Sequence, residues 1–336
     1  EDLNMSQSVY ALRNCQDILK QSSSGYLAIC KSLFSMFQDS LIVYGVVFNE
    51  SMMPVFDYAK TYEECKKFCG SKYVYCNGSK IFPKIAKELE EEKHILFVGT
   101  PCNVMALKIF LKKKNIVLDN LFTVDLICNG TPSVKFWQDY VEWLEKKVND
   151  KLENFEFRKK GDKNNPYMTA AYFKSGKTVE DVNYTACYNQ LFLKKLSIRK
   201  NCFDCKFKRL SRVSDITIGD FWGIAQVMPE FGYDREVSEI LVNTNYGEKI
   251  IDYIKKNFND DIYIKECLSD GYIFYQKNIS EKTEVPKEYL EFWDIYKKQG
   301  FEKAISKFSD AEKLGKIKYI LRKKIRGTTL RKIIRR

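Results

Sequence analysis

Residues 94–148 read "HILFVGTPCNVMALKIFLKKKNIVLDNLFTVDLICNGTPSVKFWQDYVEWLEKKV", and the alternation within them decides the fold class. "HILFVGT" (94–100) is a continuous apolar run, the pattern of a strand buried on both faces. "NVMALKIFLKKKN" (103–115) is apolar at helical spacing, "LFTVDLIC" (121–128) is a second buried strand, and "SVKFWQDYVEWLEKKV" (133–148) is an amphipathic helix. Strands separated by helices must run parallel, because the chain returns through the crossover.

The same alternation extends outward. Upstream, "SGYLAICKSLFSMFQ" (24–38) is a buried helix that the preceding serines would cap, and "LIVYGVVF" (41–48) is a buried strand. "TYEECKKFCGSKY" (61–73) is helical up to Gly70, and "SKIFPKIAKELEEEK" (79–93) is an amphipathic helix. Downstream, "LENFEFRKK" (152–160) and "YMTAAYFKSGKTVE" (167–180) are strands joined by turn residues. "DITIGDFWG" (215–223) holds another strand, and "SEILVNTNYGEKIIDYIKKN" (238–257) reads as strand then helix. We therefore expect an α/β fold with a mixed sheet core and flanking helices over 1–260. A helical C-terminal region, 261–336, ends in a basic tail.

A chain of 336 residues holds about two domains at roughly 150 residues each. No apolar run approaches the ~20 residues that cross a bilayer, and no signal-peptide pattern opens the chain. Eleven cysteines, an odd number without an export signal, point to a reducing cytoplasm rather than a disulfide framework. The net charge of +12 is concentrated beyond Lys313, in "KLGKIKYILRKKIRGTTLRKIIRR", and leaves the body nearly neutral. We accordingly expect no nucleic-acid partner; the alternating apolar positions of the tail suit peripheral contact with an anionic inner membrane face.

"NCFDCKFKRL" (201–210) holds the only C-x-x-C, Cys202 and Cys205. A four-thiolate site needs two more ligands, and two strand-to-helix junctions carry a cysteine: Cys102 in "VGTPCN" and Cys128 in "LICNGTP". Ligands in open α/β sheets gather outside the carboxyl ends of strands, where a helix N-terminus also favours a thiolate. If the two strands are neighbours, Cys102 and Cys128 share one rim and the C-x-x-C loop completes a set of four. Four thiolates hold zinc or an iron–sulfur cluster, and the residues alone leave both open beside a set of unliganded thiols. Cys65 and Cys69, four apart, read as helix packing; Cys15, Cys30, Cys187 and Cys267 read as small core residues. The single histidine, His94, leaves Cys-His catalysis and His-rich metal sites without material.

Together, "SSSG" (22–25), "SKY" (71–73), "VGTPC" (98–102), "DLICNGTPS" (125–133), "FRKK" (157–160), "LSIRKNCFDCKFK" (196–208) and "SDITIGDFWG" (214–223) resemble the coenzyme-F(420) hydrogenase/dehydrogenase beta-subunit family. The resemblance runs from about residue 10 to about 225. It implies a non-Rossmann α/β flavoprotein, an iron–sulfur oxidoreductase that binds FAD beside a 4Fe–4S cluster. Carried over by matching motif, Cys102, Cys128, Cys202 and Cys205 would ligate the cluster. Ser23, Ser24, Gly25, Ser71, Lys72, Gly99 and Thr100 would approach the flavin, with Asn129, Arg158, Asp220 and Trp222 lining the same cavity. Two departures stand out: Asn129 where the family commonly has histidine, and Tyr26 where a second glycine is usual.

The expected function is electron transfer between cluster and flavin, to reduce or oxidise a small organic substrate. Family members encoded with polysaccharide-synthesis functions suggest that setting. Many members carry an N-terminal ferredoxin domain; this chain begins with Glu at about the point where one would end. The electron donor is thus expected to be a ferredoxin, upstream or external. Two alternatives are a zinc-stabilised scaffold whose basic tail binds membrane or nucleic acid, and a degenerate member that has lost FAD.

Overall fold

The computed structural model describes residues 7–14, 23–159, 168–232, 237–312, 317 and 319–321. Most of the basic tail, together with Cys15, Ser22 and Lys160, lies outside these residues. Among them the strands are β1 (Ser8–Asn14), β2 (Leu41–Phe48), β3 (Pro54–Ala59), β4 (His94–Gly99), β5 (Leu121–Leu126), β6 (Leu152–Glu156), β7 (Ala170–Phe173), β8 (Thr178–Glu180), β9 (Ile216–Asp220), β10 (Ser238–Val242) and β11 (Ile262–Glu266). The helices are α1 (Ser24–Phe37), α2 (Tyr62–Cys65), α3 (Phe82–Glu90), α4 (Pro101–Lys113), α5 (Val134–Val148), α6 (Asn183–Leu193), α7 (Ile224–Val227), α8 (Asn245–Asn257), α9 (Gly271–Tyr275), α10 (Tyr289–Gln299) and α11 (Phe301–Phe308).

Eight strands form one mixed sheet in the order β11-β1-β10-β9-β5-β4-β2-β3. The block β2, β4, β5, β9 is parallel, and the strands outside it join antiparallel. Alternation within the strands divides the apolar residues between two faces. Leu41, Val43, Leu96, Val124, Ile216 and Ile240 pack under α1 and α8. Ile42, Tyr44, Ile95 and Phe97 face α3 and α4, while Val9, Ala11 and Leu241 meet the segment after β11. Helix starts use short polar side chains: Ser133 Oγ accepts from Phe136 N at 3.2 Å, and Thr244 Oγ1 from Gly247 N at 3.3 Å, caps worth about 1 kcal/mol each.

The second sheet, β6-β7-β8, is antiparallel. It packs on α5, α6, α10 and α11 through an aromatic core that includes Trp137, Tyr140, Phe157, Tyr188 and Phe292. Trp137 Nε1 donates to Met52 O at 2.6 Å, so the buried indole leaves no polar atom unpaired. Past residue 260 the chain supplies a strand as well as helices, since β11 pairs with β1. Ser23, the residue before α1, does not cap it: it has no side-chain cap bond, and its hydroxyl instead accepts from Gly70 N at 3.3 Å. Cys30, Cys65, Cys187 and Cys267 are core residues. Among the described residues no helix is long and apolar enough to cross a membrane.

Candidate functional site: a four-thiol cavity beside a larger cleft

β4 and β5 pair in parallel, Gly99 opposite Asp125, so their carboxyl ends lie side by side. Each end turns into a helix. Thr100 precedes α4, Pro101 is its first residue, and Cys102 follows with Sγ 3.2 Å from Thr100 Oγ1. Beyond β5, Cys128 is followed by Gly130 at φ 90°. An alanine Cβ at Gly130 would stand 3.0 Å from Ile198 Cδ1 and 3.3 Å from Cys202 Cβ. The turn is that tight because the C-x-x-C loop is laced onto it. Arg199 N donates to Thr131 O at 3.1 Å, and Pro132 bridges to Ile198. Cys202 N donates to Arg199 O at 2.9 Å, which starts the turn that carries Cys202 and Cys205 back over the rim.

All four thiols line one narrow cavity, with Arg199, Lys208 and Arg212 in its wall. Among the described residues no group of three or more His, Cys, Asp or Glu side chains is gathered as a ready site for a metal ion. Burial pushes the Cys128 thiol up to about 12, and the nearby Cys102, Cys202 and Cys205 push the same way. Of these cations Arg212 has a carboxylate ion-pair partner, and Glu281 acts on Lys208 from farther off. Lys208 Nζ donates to Thr283 Oγ1 at 2.7 Å and Asn278 Oδ1 at 3.5 Å; burial depresses its pKa while the thiols Cys128, Cys205 and Cys202 oppose the shift. Burial, with Lys208 close by, pushes Lys195 down to about 8. The Arg199 guanidinium lies 3.6 Å from the Tyr75 ring centroid, and its Nε is buried without a partner. Arg212 pairs with Asp125 at 2.9 Å, both fully enclosed.

A larger cavity of about 210 Å³ lies against the first. Thr100, Cys128, Gly130, Thr131 and Asn278 line both. Eight of the eleven residues expected around the flavin are in its wall: Ser23, Ser71, Lys72, Thr100, Asn129, Arg158, Asp220 and Trp222. Ser24, Gly25 and Gly99 are not. Ser24 is buried in the first turn of α1, Gly25 N donates to Ser238 Oγ at 3.0 Å, and Gly99 packs near Phe97 and Asn103. Lys72 Nζ donates to the carbonyls of Phe68, Cys69 and Gly70 at 3.1–3.3 Å, and burial pushes it down to about 8. Arg158 pairs with Asp220 across the wall. Trp222 is 40% exposed, whereas its neighbour Phe221 is core. Tyr26 reaches the cavity, with its hydroxyl donating to Cys65 O at 3.2 Å.

Sequence reading missed Tyr73, Ser238, Gln276 and Asn278, which also line the cleft. Gln276 and Asn278 come from a stretch without any motif, and only the folded chain brings them to the rim.

A family model for the C terminus of the coenzyme F420 hydrogenase/dehydrogenase beta subunit matches residues 92–262, just over half the chain. No curated protein matches. Among solved structures, a chain of the F420-reducing NiFe hydrogenase complex from Methanosarcina barkeri, in a xenon derivative, is similar at a TM-score of 0.53 and 19% identity. The similarity covers 81% of this chain and 88% of that one, a likeness of fold: a mixed α/β sheet flanked by helices. The matched segment spans β4 to the start of β11 and includes all four rim thiols, and on that match this chain belongs to the coenzyme F420 hydrogenase/dehydrogenase beta-subunit family.

Proposed function

We propose that the chain is an iron–sulfur flavoprotein oxidoreductase, with a 4Fe–4S cluster on Cys102, Cys128, Cys202 and Cys205 and the flavin of FAD in the 210 Å³ cleft. Family membership frames it as a redox subunit. The observation that carries the finer reading is the shared wall: Cys128 and its turn line both the four-thiol cavity and the cleft. Bound together, a cluster supplies one-electron and a flavin two-electron chemistry, which links a single-electron carrier to a hydride-accepting or hydride-donating substrate.

The residues suit these groups. Four thiolates can hold a 4Fe–4S cluster, and all four cysteines line one cavity. Arg199, Lys208 and Lys195 bring positive charge toward the thiolates that coordination would create. The cleft offers an aromatic face in Trp222 and cations in Lys72 and Arg158, groups that stack on a planar ring and favour an anionic one. Its volume is below the ~300–1,000 Å³ of clefts that enclose whole drug-sized ligands, so it would take the ring system rather than all of FAD.

Ferredoxin is the proposed donor: Lys200, Lys206 and Arg209 are exposed on the C-x-x-C loop and complement an acidic carrier. A cytoplasmic setting, a substrate in polysaccharide biosynthesis and tail contact with the inner membrane face rest on composition and on the family resemblance. The test is serine substitution of each rim cysteine in protein purified without air. We expect each to lose iron and sulfide together, with Cys187→Ser as a control that retains them; equal iron content in all five proteins would refute the ligand set.

A further inference from the structure

The cations in the wall of the four-thiol cavity are Arg199, Lys208 and Arg212. Two of them donate within the protein. Arg212 donates from Nε to Thr217 Oγ1 at 3.1 Å, from Nη1 to Phe207 O at 2.9 Å and from Nη2 to Asp125 Oδ1 at 2.9 Å. Lys208 donates to Thr283 and Asn278. Arg199 differs. Its Nε is buried without a partner, and among the described residues no carboxylate pairs with its guanidinium. An aromatic ring holds it instead: the guanidinium carbon lies 3.6 Å from the centroid of Tyr75, an attraction that supplies no oxygen acceptor.

Both members of this stack are tied to the turn that follows Cys128. Tyr75 N donates to Pro132 O at 3.0 Å, and Arg199 N to Thr131 O at 3.1 Å. Arg199 O accepts from Cys202 N at 2.9 Å, so the arginine joins the Cys128 turn to the C-x-x-C loop. A guanidinium carries only donors and stays charged, and a buried donor left unpaired is costly. Coordination by four thiolates puts net negative charge in this cavity, and a reducing electron adds to it. The sulfur atoms of such a centre are the acceptors that Arg199 lacks.

We propose that Arg199 is the counter-charge of the thiolate centre and, for the iron–sulfur cluster proposed above, the residue that sets its reduction potential. The potential-setting role rests on that reading of the rim. A fixed positive charge and an N–H donor stabilise the reduced, more negative state over the oxidised one, which raises the potential. Only an electron moves in this step, from the one-electron carrier, which is oxidised, to the centre, which is reduced. Arg199 stays protonated, and no bond forms or breaks there. Tyr75 is the positioning residue that holds the guanidinium in the cavity wall.

The test is the midpoint potential of the full chain purified without air, read by electron paramagnetic resonance during a reductive titration. In Arg199→Met the ratio of reduced to oxidised centre at a given potential should fall about tenfold, a midpoint about 59 mV lower. Arg199→Lys keeps the charge without the planar fork, and Tyr75→Leu keeps the arginine without its platform; both should fall part of the way. Lys200→Met removes the next cation along the chain, an exposed one, and should stay near wild type because solvent screens it. An iron-loaded Arg199→Met with an unchanged midpoint would overturn the proposal, as would equal shifts in Arg199→Met and Lys200→Met. Where Arg199→Met takes up no iron, wild-type midpoints in both Arg199→Lys and Tyr75→Leu overturn it. A wild type without iron refutes the cluster reading separately, and Arg199 is then read on zinc-loaded protein. There Arg199→Met should release zinc to a chelator about tenfold faster than wild type and Lys200→Met; equal rates would overturn the counter-charge. A wild type that holds neither metal would overturn both.

Discussion

Gly130→Ala probes how the thiol rim is built. Gly130 sits at φ 90°, where an L-residue costs about 1–2 kcal/mol. The new Cβ also meets Ile198 Cδ1 at 3.0 Å and Cys202 Cβ at 3.3 Å. Ile198 is fully buried and cannot swing aside freely, so overpacking adds about 1–3 kcal/mol. The expected loss is about 2–5 kcal/mol. Gly176→Ala serves as the reference: it has φ 84° and nothing within 4 Å of its Cβ position, and should lose only the backbone part. Urea unfolding of both variants and wild type reads the difference directly. Because the clash pushes on the C-x-x-C loop, the Gly130 variant should also retain less iron after anaerobic purification. Equal midpoints for the two variants, with iron undiminished, would refute the claim that the loop is packed onto this turn.

Arg212→Met should destabilise the fold by about 3–5 kcal/mol, because it strands the enclosed Asp125 carboxylate. Burial already holds Asp125 above the usual carboxylate range, so that loss should shrink toward acid pH as the carboxyl protonates; denaturant midpoints across pH check both. Glu239→Gln should flatten part of the pH dependence of stability. A folded pKa of about 8 against an ordinary glutamate means that wild type loses stability as pH rises between the two, up to about 5 kcal/mol at 1.36 kcal/mol per pH unit. The variant should therefore overtake wild type in melting temperature at alkaline pH. Trp222→Ala, at a side chain 40% exposed, should leave stability nearly unchanged and weaken FAD binding roughly three- to tenfold, as loss of a stacking face predicts; flavin fluorescence reads it.

The parallel core was legible because β2, β4 and β5 are buried on both faces and read as unbroken apolar runs. β1 was not read: "SVYALRN" (8–14) is too mixed to announce a strand, and its burial comes from distant partners at 238–242 and 262–266. β11 was missed for a different reason. It is a sheet edge with only Ile262 buried, so most of its side chains face water and carry no apolar signal. At the site, the adjacency of Cys102 and Cys128 followed from placing two cysteines at equivalent strand ends. The lacing of the C-x-x-C loop through Thr131 and Pro132 did not, because backbone bonds between distant turns leave no mark on residue identity. Ser23 shows the converse: a good local cap pattern yields when a tertiary partner, the Gly70 amide, takes the hydroxyl.

A cluster on the rim beside a flavin in the cleft can be checked in one preparation, by the iron, sulfide, zinc and flavin content and visible spectrum of protein purified without air. We expect a brown-yellow protein with iron and sulfide in the proportion of a 4Fe–4S cluster and about one FAD per chain. A colourless protein carrying stoichiometric zinc, unchanged after anaerobic iron–sulfur reconstitution, would contradict that assignment.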